Sequence, residues 1–350
     1  MKKEKNLFPF LKTAIAAALL ASLHYPAFCS DPPTYFSQES RGITSAEFLN
    51  LDISPRAASM GGAQSAVAED VSAIHSNPAG LMQISKLSAM FMRSQYVEDI
   101  NYQYAAYAHR LSFDSVIAGS ILMTDIGSID NTDISGNKLG TFSPQDQVFT
   151  LAYSKGIIEF SDKDTDVSMG IAYKYINSKI LNKAKATAFD FGVMTYNFTA
   201  IPYKLSIVMQ NLGSGLRFDR ESVPLPLTFK VGASINPFKN LMFATDMIMP
   251  KNNSAYFNIG AEISSQTNEQ TRFAVRGGIN TLRMKDKVGG VNFGLGMVLK
   301  FFSIDYAFVP MGDLGTTHRI SLTFDFPLKS PVFERKDRSI YSKISDLSLK

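Results

Sequence analysis

The 350-residue chain has no tryptophan and one cysteine, Cys29, and only 19% of its residues carry a formal charge. A single thiol excludes a disulfide framework and a thiolate metal cluster. Four histidines occur, His24, His75, His109 and His318, none in a spaced pair such as HExxH, so no metal site and no cofactor is expected. GxSxG, the P-loop and the dinucleotide GxGxxG are all missing, and the acid-rich runs 125–133 and 162–166 lack the EF-hand spacing and read as solvated loops. The pairs His109 with Ser112 and His318 with Ser321 are read as interface or lumen residues, so no enzyme is expected. No apolar run reaches the ~20 residues of a membrane-spanning helix.

What is present begins with a basic start, Lys2, Lys3, Lys5 and Lys12 against Glu4, followed by the short apolar stretch Ala14 to Leu23. This is the form of a cleaved signal peptide over 1–29, with Ala27-Phe28-Cys29 placing the cut before Ser30. A lipoprotein acylated at Cys29 is the competing reading, with Phe28 a poor fit to the small residue that processing prefers. The net charge of +4 belongs mostly to this segment. The remainder is close to neutral, which gives no reason to expect nucleic acid as a partner.

From residue 87 onward, large apolar residues alternate with small or polar ones. Phe189, Phe191 and Val193 interleave with Asp190, Gly192 and Met194, and Val291, Phe293, Leu295 and Met297 interleave with Asn292, Gly294 and Gly296. Period-two alternation in segments of ~9–11 residues, behind an export signal, predicts a transmembrane β-barrel with one face toward lipid. About fourteen candidate strands lie between residues 87 and 326, an even count that brings both ends to the periplasmic side. Tight links at 111–113, 198–202, 236–239 and 299–300 then fall on that side, with the longest connections, 125–146 and 212–226, outside. A soluble sandwich is the alternative, but its outer face would be rich in Lys and Glu, not in Gly and Ala. On this parity Phe191 and Phe293 face lipid, and lysine at Gly192 or Asn292 is expected to be accepted in the lumen.

Residues 30–86 do not alternate. An irregular leader precedes a small-residue stretch in which Gly61-Gly62 permits positive φ and Asn77-Pro78 ends a short helical turn. So little bulk suits a filled space such as a barrel lumen; a surface extension, or a first strand at 63–68, is the alternative. The tail, 327–350, is polar and is read as a periplasmic appendage or a docking peptide.

The stretch Arg56-Ala57-Ala58-Ser59-Met60-Gly61-Gly62-Ala63, with Ala68-Glu69-Asp70-Val71-Ser72-Ala73-Ile74 and Asn77-Pro78-Ala79-Gly80-Leu81, resembles the N-terminal signature of the PorV/PorQ family. That group, with related envelope proteins, is similar to the FadL long-chain fatty-acid transporters. The resemblance implies an all-β, up-and-down antiparallel outer-membrane barrel of fourteen strands, with the N-terminal segment as a lumenal plug. It also implies membrane lipids and the barrel-assembly machinery as partners, although Phe326, in the place of the family's terminal aromatic residue, is followed here by the tail.

Two functions follow. The first is passive uptake of hydrophobic small molecules such as long-chain fatty acids, with Met60, Leu81 and Met82 lining an apolar path and Arg56, Arg272 or Arg276 receiving a carboxylate. Met60, Gly61 and Gly62 belong to the plug, and Asn77, Pro78, Ala79 and Gly80 form its hinge. The second is a shuttle or docking component of a protein-secretion system, with secretion partners in place of a hydrophobic ligand.

Overall fold

The computed structural model describes residues 35–97, 100–159, 165–197, 201–268 and 271–326. The signal segment, its cleavage site, Cys29 and the tail at 327–350 lie outside the described residues.

The strands, in chain order, are β1 (Leu87–Gln95), β2 (Asn101–Ser112), β3 (Ser115–Asp125), β4 (Ile129–Thr132), β5 (Lys138–Phe142), β6 (Gln145–Glu159), β7 (Thr165–Lys179), β8 (Lys183–Asn197) and β9 (Tyr203–Gly213). They continue with β10 (Leu216–Arg217), β11 (Ser222–Val223), β12 (Thr228–Phe238), β13 (Leu241–Pro250), β14 (Tyr256–Asn268), β15 (Thr271–Asn280), β16 (Val291–Leu299), β17 (Phe302–Pro310) and β18 (Thr316–Phe326). Fourteen of them close into an antiparallel barrel, while β4–β5 and β10–β11 are small separate hairpins. Closure is made by β1 against β18, from Leu87 opposite Phe326 to Gln95 opposite His318. Among the described residues no helix is long and apolar enough to cross a membrane.

Alternation sets the facing. On β8, Phe189 and Phe191 are 40% and 39% exposed, whereas Ala188 and Asp190 between and beside them are fully buried. The same parity leaves Phe91, Leu151, Ile207, Ile263, Val275, Phe293 and Ile320 exposed around the outside. A sandwich buries its large apolar face; here that face is the exterior, which is stable only against lipid. The wall is therefore a transmembrane barrel. Two-residue turns close one end, at 113–114, 239–240 and 300–301, and the other end carries the connections 126–144 and 214–227 with the two hairpins and the short helix Thr281–Lys285. At the end closed by two-residue turns, β14 runs on to Asn268 and β15 begins at Thr271.

Residues 35–86 form neither a surface extension nor a strand at 63–68. At the long-loop end, the amide of Phe36 donates to the Lys251 carbonyl and that of Ser45 to the Pro224 carbonyl, both at 2.8 Å, and Arg41 pairs with Asp286 at 2.9 Å. The chain then crosses the interior. The helix Pro55–Ser59 lies against β15 to β18, and the 3-10 turn Pro78–Gln83 lies against β3, β6, β7 and β8. At the short-turn end, Arg110 of β2 donates to the carbonyls of Met82 and Ile84, both at 2.7 Å. A segment in contact with opposite walls of a closed sheet lies inside it.

Close approach explains the glycines. Gly260 and Gly278 are cross-strand partners on β14 and β15, and a Cβ at either would collide with Met60. Gly170 and Gly192 are partners on β7 and β8, and a Cβ there would collide with Asn77, Pro78 or Ala79. Gly61, with φ +71°, brings its backbone so near that a Cβ would stand 2.5 Å from the Ile279 carbonyl oxygen. This overturns the expectation that lysine is accepted at Gly192 or Asn292. The first position touches Asn77, and Asn292 Nδ2 donates to the Ala58 carbonyl at 2.6 Å. The facing was read correctly, but the lumen is packed solid at these points.

Two adjacent glycines test this arrangement. A methyl at Gly277 would have its nearest neighbour, the Asn292 carbonyl oxygen, at 3.9 Å, whereas one at Gly278 would strike the Met60-Gly61 backbone. Gly277→Ala is expected to leave the urea midpoint of the folded barrel unchanged, and Gly278→Ala to lower stability by about 1–3 kcal/mol through overpacking. Equal midpoints would mean that the segment does not press on the wall.

Candidate functional site: the filled lumen

The lumen is lined by the small face of the strands, and its main polar feature is a chain of ion pairs between segment and wall. Lys204 Nζ of β9 lies 3.1 Å from Glu69 Oε2, and Glu69 Oε1 lies 2.7 Å from Arg56 Nη1. Arg56 Nε lies 2.9 Å from Glu262 Oε2 of β14, which also accepts from Arg276 Nε of β15 at 2.7 Å. Arg276 Nη1 then reaches Asp305 Oδ1 of β17 at 2.6 Å. Arg276 spans β16 because the residue between is Gly296, where a Cβ would stand 2.6 Å from the guanidinium. Three cations alternate with three carboxylates, so the buried charge is balanced within the network.

Burial alone would raise the Glu69 carboxyl. Lys204 and Arg56, with Arg272 adding to the field, outweigh burial and hold it well below the usual carboxylate range. Its contribution is thus complete at neutral pH and is lost progressively as the pH falls below the ordinary carboxylate range. His75 behaves differently. Its place in the lumen, with Lys174 and Lys230 nearby, holds it well below the ordinary imidazole value. It is neutral when folded, so stability falls as pH drops below the ordinary imidazole range and the unfolded chain takes up the proton.

Other inward polar residues tie the segment down. Asp246 of β13 accepts from the amides of Gln64 and Ser65 at 3.0 and 2.8 Å and from the Ser65 hydroxyl at 2.7 Å. The Ser65 and Ser206 hydroxyl oxygens are 2.9 Å apart. Lys174 of β7 pairs with Asp190 of β8 at 2.6 Å and donates to Asn211 Oδ1 at 2.8 Å.

The residues singled out in the sequence divide accordingly. Met60 is buried with Ala63, Val67, Met242 and Ala244. Leu81 is fully buried in the largest apolar cluster, with Met82 packed on it. Arg56 and Arg276 are engaged by protein carboxylates, so the expectation that they receive a ligand carboxylate is corrected: their donors hold the segment to the wall. Arg272 is half-buried on the same face. The hinge expected at Asn77, Pro78, Ala79 and Gly80 is an anchor. Asn77 caps Ala79 and donates to the Ser65 carbonyl at 2.8 Å, Ala79 offers its carbonyl to Ser168 at 2.9 Å, and Gly80 presses on Ala68. Glu69, Lys204, Glu262 and Asp305 were missed as a set. Their signal was charge at inward parity on otherwise small faces, which alternation could have flagged but could not have paired.

Two cavities flank Met92. A small void of about 10 Å³, enough for one water, is lined by Asp52, Ile53, Ser94, Tyr102 and Arg319. On the outer wall an open hollow of about 640 Å³ lies among Phe91, Arg93, Gln103, Ile304, Ile320 and Leu322. Met92 borders both.

The network predicts a large cost for removing its centre. Glu262→Ala removes the carboxylate between two guanidinium groups, leaves one buried positive charge uncompensated, and is expected to destabilise the folded state by about 3–5 kcal/mol. The shift is to be read from urea unfolding, and a shift under about 1 kcal/mol would mean that the pairs contribute little. For the histidine, stability measured from pH 7.5 down to 5 should fall for the native chain and fall less for His75→Gln; parallel curves would exclude His75 as a source of the slope.

No family model matches the chain, and no curated protein matches it in sequence. Solved structures do match. The toluene transporter TbuX of Ralstonia pickettii is 12% identical, with 79% of this chain and 99% of that chain covered at a TM-score of 0.53. The toluene transporter TodX of Pseudomonas putida is 9% identical, covering 78% and 98%, at 0.49. A FadL homologue of Pseudomonas aeruginosa is 11% identical, covering 78% and 98%, at 0.46. At these identities the likeness to TbuX shows the fold alone, and the PorV/PorQ likeness rests on the sequence motif alone.

Proposed function

We propose that this protein is an outer-membrane channel for passive uptake of hydrophobic small molecules, exported behind its cleaved signal and held closed by its own N-terminal segment. The observation that carries the reading is the ion-paired chain from Lys204 through Glu69, Arg56, Glu262 and Arg276 to Asp305, which fastens the N-terminal segment across the lumen. The toluene transport named for TbuX supports hydrocarbons as the substrate class, alongside the fatty acids expected from the sequence. Passage requires the segment to shift, since Met60 and Leu81 are packed against the wall. Met92, which borders both the inner void and the outer hollow, marks the route we propose from lumen to bilayer.

A second reading is favoured by the sealing of the long-loop mouth. Phe36, Arg41 and Ser45 all bond to loops there, as suits a rigid scaffold that docks a secretion partner and conducts nothing.

A reversible lock separates the two. With the Ser65 and Ser206 hydroxyls 2.9 Å apart, cysteines at both positions fall within disulfide reach. In liposomes, the Ser65→Cys/Ser206→Cys variant should take up labelled toluene or palmitate when reduced and lose uptake when oxidised. Flux at background in both states, alongside equally inactive unmodified protein, would remove the channel reading in favour of the scaffold.

A further inference from the structure

The outer wall is not uniform around its circumference. β6, β7 and β8 are 15 residues each, longer than their neighbours; at the long-loop end β8 runs on through 183–187 past its pairing with β9, paired there with β7, while the extra residues of β6, 156–159, lie at the short-turn end. On β7 the outward series Met169, Ile171, Tyr173 and Tyr175 is followed by Asn177 and Lys179, and on β8 outward Phe191 and Phe189 are followed by Thr187, Lys185 and Lys183. The register sets Lys179 directly opposite Lys183 and Asn177 opposite Lys185, with Gln145 and Gln147 of β6 beside Lys179 and Asn177. Each of these six side chains offers a hydrogen-bond donor. The three lysines are exposed and form none of the ion pairs seen among the described residues. The nearest outward acid across the sheet on this level is Asp125, opposite Gln145 and two strands from Lys179, about 10 Å away at ordinary strand spacing.

Like charges directly opposite in a ladder destabilise it, so Lys179 and Lys183 face each other at a cost unless an anion lies between them. The aromatic and aliphatic band ends immediately below, which puts the lysines at the level of lipid headgroups. The long-loop end of such barrels faces the cell exterior. We propose that the outward plate formed by Lys179, Lys183 and Lys185 with Gln145, Gln147 and Asn177 binds the phosphorylated headgroup of a lipid in the outer leaflet. The acyl chains of that lipid lie down the wall against Tyr175, Tyr173 and Phe189, and the phosphate sits between the cross-strand lysines. This surface is separate from the lumen and stands whether or not the channel conducts.

The test uses full-length protein in nanodiscs containing lipid A, a glucosamine disaccharide with two phosphates, followed by transfer to detergent and native mass spectrometry. Attraction of roughly fivefold per basic residue at an anionic surface sets the scale for the three lysines. The native chain should therefore retain lipid A on the order of a hundredfold better than Lys179→Gln/Lys183→Gln/Lys185→Gln, while the triple arginine variant retains it like the native chain. Heat-modifiable migration on gels shows that each variant is assembled, and Lys239→Gln at the opposite rim should behave as native. Lipid A stripped of both phosphates should be lost from the native chain as readily as from the glutamine variant. Equal retention by the native and glutamine proteins would overturn the proposal. So would displacement of lipid A by millimolar inorganic phosphate, which would mark a site for free anions.

Discussion

Closure of the hydrogen-bond ladder between β1 and β18 is the constraint from which the rest of the molecule follows. In hydrocarbon an unpaired backbone amide or carbonyl is costly, and only a sheet with no edge leaves none. Closing the sheet fixes which residues face lipid and which face inward for every strand at once, because successive side chains alternate. The exposed ring of Phe91, Phe191, Ile263, Phe293 and Ile320 and the buried ring of Ala188, Asp190, Ala244 and Ala307 are two results of that one closure.

Closure also creates a problem. Fourteen strands enclose more space than small inward side chains can fill, and an empty lumen would be a pore. The N-terminal segment occupies that space, and wall and segment are shaped for each other. Cross-strand glycine pairs, Gly260 with Gly278 and Gly170 with Gly192, remove side chains where the segment comes closest. Where the wall stands farther off, Lys204, Glu262, Arg276 and Asp246 reach inward to meet Glu69, Arg56 and Ser65. Such a contact suits a removable filling. Buried ion pairs add little net stability over apolar packing and specify position strongly, so the segment is placed accurately without being bound as firmly as an apolar core of equal size.

The outer surface divides in a comparable way. The sector around β1, β2 and β18 carries a hollow against the bilayer, with Met92 between it and the inner void. The sector of β6 to β8 carries the lysine plate. The plate and the hollow lie on different strands, so the two surfaces need not compete for the same lipid.

Alternation and turn residues were enough to read the barrel from the sequence. The candidate strands, down to 187–197 and 290–298, coincide with β8 and β16 apart from their ends, because the two-residue period of a lipid-facing strand is a local property. The small-residue stretch from Arg56 to Leu81 was legible as something other than wall for the same reason. What it touches was not legible. Arg56 read as a ligand receiver and Asn77-Pro78 as a hinge because a charge and a helix stop are visible in a chain, whereas their partners are hundreds of residues away or on a different wall. Sequence by itself determined the strands and their facing. Only the closed tertiary structure decided that Glu262 lies between two arginines, that Gly278 is a socket for Met60 and that the lumen is full, since each depends on which strands closure brings face to face across the interior.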